Sequence, residues 1–312
     1  MSPRIIATKI GRALLTMLLA MTFVFIVLRL AGDPARMMLP DDAPEEQILR
    51  YHQQLGLDRP LIEQYFDYLW QILHGDFGIS YIQGLSALSV VAERLPATLL
   101  LGGTSFLIVL LVGIPLGALA ALKRGSFTDK VVLFLSAAGY SLPTFFFAVL
   151  LILVFAVALH VLPTGGIGTW QSLILPCFTA SLGGVGVLAR FTRSAMLEVL
   201  GRLHVRAARA HGLSSRRIVW QEVLPNAAIP TVTVIGFTIG GLVAGSVVIE
   251  SVFAWPGVGQ LLQMSVSHRD LPVVQVIVLM IAATMTVTNL CVDLLYGWLD
   301  PRIADARAAG AA

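Results

Sequence analysis

The chain has 312 residues, of which 57% are hydrophobic and 12% charged, and its net charge is +3. Soluble domains carry about 25% charged residues, so this composition excludes a water-soluble globular protein and indicates an integral membrane protein. The two cysteines, Cys177 and Cys291, lie in apolar runs and argue against a disulfide framework or a paired-thiol metal site.

Six segments are long and apolar enough to cross the hydrocarbon core, which takes about 20 residues of helix. None shows the short alternating pattern of a barrel strand, so the sequence predicts an all-α membrane protein with six transmembrane helices. The predicted spans cover residues 13–30, 97–122, 131–159, 172–189, 228–252 and 273–298.

The first segment has an alternative interpretation as a signal peptide, because Arg4, Lys9 and Arg12 precede its apolar run. The run is as long as a full span, whereas the core of a signal peptide has about 7 to 15 residues. Asp33-Pro34 behind it is a poor cleavage context. We therefore expect residues 1–30 to form an N-terminus and an uncleaved first span.

Residues 31–96 are too long for a simple turn and contain two amphipathic stretches separated by Gly56 and Pro60. Apolar side chains recur at helical spacing in the second stretch. They are Leu61, Tyr65, Tyr68, Leu69 and Ile72. The pattern predicts a small helical segment on the outer membrane face, which either guides a ligand or covers the span ends.

Pro143 interrupts the third predicted span and removes a backbone hydrogen bond. Tyr140, Ser141 and Thr144 stand beside it. Their hydroxyl groups either bond to the freed carbonyls or belong to a kink that widens a path between the spans.

Glycines form a face of small residues along the fifth predicted span, which favours close helix packing. They are Gly236, Gly240, Gly241 and Gly245. Glu250 lies near the outer end of the same span and is either part of a substrate path or gate, or a structural anchor for the following loop. Phe253 and Asn289 complete the candidate pathway residues.

Fifteen of the 21 lysines and arginines lie at the N-terminus, in the connection of residues 123–130, in the loop of residues 190–227 and in the tail of residues 300–312. Because Lys and Arg favour the cytoplasmic side, we expect both termini and the basic loop to be cytoplasmic. Residues 97–299 then form the transmembrane core.

The basic loop has an ordered pattern. Residues 194–211 predict a helix that ends at Gly212, and Ser214 or Ser215 offers an N-cap for a second helix through Glu222. Pro225 and then Pro230 are expected to stop this helix before the fifth span. Two short helices with alanines at the corner make a compact docking element.

Three other interpretations fit the sequence of this loop less well. A passive loop that only fixes topology needs no ordered break and restart. A helix-turn-helix that reads DNA would scarcely reach a major groove from between two spans. An amphipathic helix on anionic lipid fits the arginines, but the glycine and the proline interrupt any long apolar face.

No active site is predicted. The six histidines are scattered, and no phosphate-binding glycine loop with a following Lys-Ser/Thr is present. We therefore expect a non-catalytic chain that binds no cofactor, no metal and no ATP itself.

The spacing of Ala207, Ala208, Gly212, Leu224 and Pro225 resembles the "EAA---G---------I-LP" loop of ATP-binding-cassette importer permeases. Arginine stands at the glutamate position, as is usual in the peptide and nickel branch, and glutamate stands at the isoleucine position. Further stretches resemble that branch in its expected order. They are RLAGDPA, LGLDRPLIEQYFDYL, GDFGIS, LPATLLL, SLPTFFFAVLL, ESVFAWPGVGQLL, RDLPVVQ and NLCVDLLYGWLDPRI.

The resemblance implies a B-type permease subunit of a dipeptide, oligopeptide or nickel importer in the bacterial inner membrane. It implies a coupling helix that contacts cytoplasmic ATPase subunits, and these subunits bind ATP and Mg²⁺. It also implies two further partners, a homologous second permease and an external substrate-binding protein. The residues that it assigns to coupling are Arg206, Ala207, Ala208, His211, Gly212, Leu213, Glu222, Leu224 and Pro225.

The preferred substrate is a small peptide, with nickel as the alternative. A secondary transporter without an ATPase is the alternative from another class, but it predicts buried charges or a broken-helix ion site, of which the spans contain little. The hypothesis of a scaffolding or assembly protein is disfavoured, because the sequence contains no extended soluble interaction domain.

Overall fold

The computed structural model describes residues 3–31, 35–36, 39, 43–54 and 56–299. Over these residues the protein is mostly helical, and its extended pairing is one isolated β-bridge between Ile79 and Ser86. The helices are α1 Pro3–Ala31, α2 Glu45–Gln54, α3 Leu61–Leu73, α4 Ala87–Leu122, α5 Phe127–Ser141, α6 Thr144–Leu151, α7 Ile174–Leu200, α8 Leu203–Ala210, α9 Ser215–Ile218, α10 Leu224–Val252, α11 Val258–Ser267 and α12 Leu271–Leu299. Residues 32–34 and the predicted tail of residues 300–312 lie outside this description.

Four of the described helices are long and apolar enough to cross a membrane, and a bent pair adds a fifth if it is counted as one span. The four are Ala7–Val27, Ala87–Leu122, Trp170–Leu200 and Leu271–Val292. They agree with the predicted first, second, fourth and sixth spans. The prediction of an all-helical membrane protein is therefore confirmed.

The predicted third span is not one continuous helix. α5 and the pair formed by α6 and the π-helical turn Ile152–Ala158 differ in direction by 102°. Pro143 has no N–H and disfavours helical backbone at Leu142, where the chain is extended. The Ser141 hydroxyl donates to the Ala137 carbonyl at 2.9 Å, one turn earlier in α5.

α10 coincides with the predicted fifth span and has 29 residues. The side chains of residues 237–246 lie outside the description, and with them the surroundings of Gly240, Gly241 and Gly245. Gly236 faces Val292 of α12 so closely that any Cβ atom would collide with that side chain.

A second close glycine contact joins α4 and α7, which lie side by side. A Cβ atom added to Gly117 would lie 2.5 Å from the Ala189 carbonyl oxygen and 2.7 Å from Cβ of Thr192. Glycine at this position therefore lets the two backbones approach. The predicted face of small residues lies on the fifth span, and this contact between α4 and α7 was not predicted.

The segment before α4 contains the two predicted amphipathic helices, α2 and α3, separated at Gly56 and Pro60. α3 packs on α1: the Phe25 ring lies 5.3 Å from both Tyr65 and Tyr68, measured between centroids. Leu61 is exposed, so it does not belong to the packed stripe. α4 begins at Ala87 rather than at residue 97, so the last part of the predicted outer segment is helix.

Candidate functional site

The basic loop folds into a compact projection, which we call the basic knob (residues 201–223). α7 ends at Leu200, α8 follows after an extended Arg202, and α9 leads through a π-helical turn, Val219–Val223, directly into α10. We call this end of the bundle, where α4 and α7 end, the basic end.

Two predictions about this loop are wrong. The helix expected over residues 194–211 is interrupted at Gly201. The expected stop at Pro225 does not occur, because a proline in the first turn of a helix costs no internal hydrogen bond. The Asn226 side chain donates to the Glu222 carbonyl at 2.7 Å. The expected stop at Pro230 does not occur either, because Pro230 lies inside α10.

Gly212 ends α8 with two hydrogen bonds that define a Schellman motif. The Leu213 N–H donates to the Ala208 carbonyl at 3.2 Å, and the Gly212 N–H donates to the Arg209 carbonyl at 3.0 Å. Gly212 has a φ of 76°, which glycine adopts without strain. The Ser214 hydroxyl then accepts from the Arg217 N–H as the N-cap of α9. The turn is therefore ordered.

One side of the knob is anchored in an apolar cluster at the basic end. Val205, Ala208, Ile218 and Val223 of the knob are buried there. They pack against the last turns of α4 and α7 and the first turn of α10. The partners in the cluster are Ala121, Ala195, Met196, Val199 and Ala227. The knob and the ends of three helices therefore share one core.

The other side of α8 is exposed. Leu203, Arg206, Ala207 and Ala210 follow the i, i+3, i+4, i+7 spacing of one helix face and all are exposed. Leu203 is 80% exposed. The face combines two small alanine side chains with the cationic Arg206 and the apolar Leu203.

The predicted coupling residues divide between these two sides. Arg206, Ala207, His211, Gly212 and Pro225 are exposed. Ala208 is buried and Leu213 and Leu224 are partly buried against the apolar cluster, so these three hold the knob in place. Glu222 is half-buried.

Three exposed residues of the knob were not predicted from the sequence: Leu203, Ala210 and Trp220. Helical spacing from Arg206 and Ala207 was the available signal for Leu203 and Ala210. No sequence signal was available for Trp220, which lies in a basic stretch.

The opposite end of the bundle contains Glu250, whose side chain is fully buried. The Thr98 hydroxyl donates to Glu250 Oε1 at 2.9 Å. The Gly259 and Gln260 N–H groups donate to Glu250 Oε2 at 2.6 and 3.1 Å, and the Val258 N–H donates to Thr98 Oγ1. The carboxylate thus ties α10, α4 and the start of α11 together.

The loop after Glu250 is fixed as well. The Trp255 indole N–H donates to the Ala97 carbonyl at 2.9 Å, and the Phe253 carbonyl accepts from the Gly166 N–H at 3.0 Å. Phe253 and Trp255 are buried. The contacts of Glu250 are those of the structural anchor, which is one of its two predicted roles. Phe253, predicted as a pathway residue, is buried in the same loop.

The remaining pathway candidates are more accessible. Ser141 and Thr144 are exposed at the bend between α5 and α6, and Asn289 is exposed on α12. The side chain of Tyr140 lies outside the description. The structure does not bring Ser141 and Asn289 together with Glu250 in one site.

Asp270 was not recognised from the sequence. It is buried before α12; the Ser80 hydroxyl donates to Oδ2, and the Tyr81 N–H donates to Oδ1 at 3.0 Å. Burial and this carboxylate raise the pKa of the Tyr81 hydroxyl to about 12. Asp270 therefore connects the segment before α4 to the α11–α12 turn.

Comparison with protein families gives two matches that together span nearly the whole chain. Residues 113–305 match the family described as binding-protein-dependent transport system inner membrane component. Residues 3–102 match the N-terminal region of the membrane component of such systems.

Curated relatives and a solved structure agree with this match. The glutathione transport system permease protein GsiC of Salmonella choleraesuis (strain SC-B67) is 41% identical over 289 residues, 92% of this chain and 94% of that protein. GsiC of Escherichia coli (strain K12) is 40% identical over 283 residues, 91% and 92% of the two chains. A chain of the MetNI methionine ABC transporter in an inward-facing conformation shares the fold, with a TM-score of 0.53 and 20% identity over 68% of this chain and 97% of that chain.

Proposed function

Because the chain belongs to the family of inner membrane components of binding-protein-dependent transport systems, we propose that it is the permease subunit of an ATP-driven importer of small peptides. The multi-pass helical fold and the likeness to an ABC transporter chain are consistent with this role. The peptide substrate is supported by the relatives named for glutathione, which is itself a small peptide. The relatives reported above are named for glutathione and not for nickel.

The proposed topology has six spans. α10 is the fifth span, and α5 with α6 forms the broken third. The distribution of lysines and arginines along the sequence supports a cytoplasmic position for both termini and the basic knob.

The observation that carries the proposal is the two-sided knob. Its buried side shares a core with the ends of α4, α7 and α10, while its exposed side offers Leu203, Arg206, Ala207 and Ala210. A partner that moves the exposed face must move those helix ends with it. We assign this face, with His211, Gly212 and Pro225, to contact with a cytoplasmic ATPase subunit.

The driving reaction then takes place elsewhere. Two partner ATPase subunits bind ATP and Mg²⁺ and close together, and a homologous second permease completes the path. An external binding protein delivers the peptide. Ser141, Thr144, Asn289 and Tyr140 are assigned to the path, while Glu250 and Phe253 hold the loop at its outer end.

The test uses the assembled transporter with an affinity tag on this chain. Ala207→Phe is expected to abolish copurification of the ATPase and to lower uptake of labelled glutathione or dipeptide about tenfold or more, since 1.4 kcal/mol of lost contact is tenfold in affinity. Ala92→Phe is the control, because Ala92 is exposed on α4 far from the basic end. Both variants must reach the membrane in equal amount.

Two outcomes would contradict the proposal. If the Ala207→Phe variant binds the ATPase and takes up peptide as well as the control does, the exposed face of α8 is not the ATPase contact. Uptake that continues without the ATPase subunits and stops when the ion gradients are collapsed would identify a secondary transporter. Labelled nickel in the same cells tests the metal alternative directly.

A further inference from the structure

A cleft of about 500 Å³ lies between the basic knob and the ends of α4 and α7. Its apolar wall includes Leu122 and Leu200, the last residues of two apolar helices. Trp220 closes the wall and is 65% exposed. The cleft therefore lies where two membrane-spanning helices end.

The other wall is cationic and polar. Arg209, Arg216 and Ser215 line the same cleft. Over the part of the chain that the structure describes, neither guanidinium group makes an ion pair or a side-chain hydrogen bond. Each guanidinium thus keeps a planar set of donors suited to a phosphate group.

The two walls together have the polarity of a phospholipid. We propose that this cleft binds an anionic phospholipid of the cytoplasmic leaflet, with the phosphate at Arg209 and Arg216 and the start of the acyl chains against Leu122, Leu200 and Trp220. Tryptophan is enriched at the membrane interface, and basic pockets between helix ends attract anionic headgroups. This site depends on the proposed membrane orientation but not on the ATPase contact.

A phospholipid fits better than the two other candidate occupants. A free phosphate ion has no apolar part that could contact the apolar wall. The ATPase is assigned to the face of Leu203, Arg206, Ala207 and Ala210, whereas Arg209 is turned from that face toward the buried side of α8.

The experiment reconstitutes the protein with increasing fractions of dibrominated phosphatidylglycerol or dibrominated phosphatidylcholine and follows quenching of tryptophan fluorescence. The chain has five tryptophans, so the difference between wild type and Trp220→Phe isolates Trp220. Half-maximal quenching of Trp220 is expected at an about tenfold lower fraction of phosphatidylglycerol than of phosphatidylcholine, because each arginine contributes to headgroup attraction.

Arg209→Gln with Arg216→Gln should remove this preference. Arg202→Gln with Arg217→Gln is the charge-matched control, since Arg202 and Arg217 are outside the cleft and bond to Glu198 and Gln221. The control should keep the preference. If the glutamine variant does not fold, Arg209→Lys with Arg216→Lys provides a second test and should retain part of it.

Equal quenching by the two lipids would overturn the proposal, as would a preference that the glutamine variant keeps. Reversal by excess inorganic phosphate would make the ligand a phosphate ion. Loss of ATPase binding without any change in lipid preference would make the cleft part of the ATPase surface.

Discussion

Asp129 and Arg193 form a bidentate ion pair that joins the first turn of α5 to α7. Arg193 Nε and Nη2 donate to the two carboxylate oxygens at 2.6 and 2.8 Å. The Gly125 N–H donates to Asp129 Oδ2 at 2.9 Å. The Asp129 side chain is only 5% exposed. The short α4–α5 turn is therefore fastened to the helix that leads into the basic knob.

Asp129→Asn is expected to lower the melting temperature of the purified protein, because the neutral amide leaves the half-buried Arg193 guanidinium without its charge partner. Glu198→Gln is the matched control, since Glu198 pairs with Arg202 while 69% exposed and such surface pairs contribute about 0.5 kcal/mol or less.

A double-mutant cycle with Arg193→Gln separates the pair from its surroundings. The sum of the stability losses in the two single variants should exceed the stability loss in the double variant. Simple additivity would show that the two side chains do not stabilise each other.

Glu250→Gln is expected to destabilise the protein by about 1.5 to 3 kcal/mol, the contribution of a hydrogen bond to a charged group. The amide can present only one oxygen, so its NH₂ group must face either the N–H groups of Gly259 and Gln260 or the Thr98 hydroxyl, which already accepts from Val258. Thermal unfolding in detergent measures the effect. Glu93→Gln, at an exposed position of α4, should change little; equal losses in both would contradict the anchoring role.

Gly117→Ala is expected to cost about 1 to 3 kcal/mol through overpacking, because the new methyl group meets the Ala189 carbonyl on α7. Gly103→Ala on the same helix has no atom within 4 Å of its added Cβ. It should be neutral or stabilise the helix by up to about 1 kcal/mol. Unfolding of both variants in one detergent provides the comparison, and a more stable Gly117→Ala protein would show that α4 and α7 are not in close contact.

Gly212→Val should reduce uptake while leaving membrane insertion intact. A β-branched residue is strained by about 1 to 2 kcal/mol at a left-handed position, so the Schellman turn would open and the exposed face of α8 would lose its fixed orientation. Gly212→Asn should lose less, since asparagine tolerates this backbone. Uptake and membrane content are measured in parallel. If the Gly212→Val and Gly212→Asn variants transport equally well, the turn geometry is not required for coupling.

The sequence predicted those features that depend on local chemistry. Long apolar runs located the spans, Gly212 and Ser214 located the turn of the knob, and Gly56 with Pro60 separated α2 from α3. Each of these signals acts on the residues beside it. Local reasoning also erred at Pro225, because the effect of a proline depends on whether it falls in the first turn of a helix or later.

The features that the sequence did not predict depend on residues far apart in the chain. Asp129 meets Arg193, Asp270 meets Ser80, and Gly117 meets Ala189 only after the helices pack. The division of the coupling residues into exposed and buried sets has the same origin. Ala207 and Ala208 are neighbours in one motif, yet the cluster around Met196 buries only Ala208.

The contacts of Glu250 have a consequence for how the protein is made. Thr98 precedes Glu250 in the chain, but the N–H groups that hold its carboxylate belong to Gly259 and Gln260, which are synthesised later. A charged group in hydrocarbon without partners is costly. The full set of hydrogen bonds to Glu250 therefore forms only after the start of α11 has been synthesised, so the end of α10 and the start of α11 are expected to become ordered together.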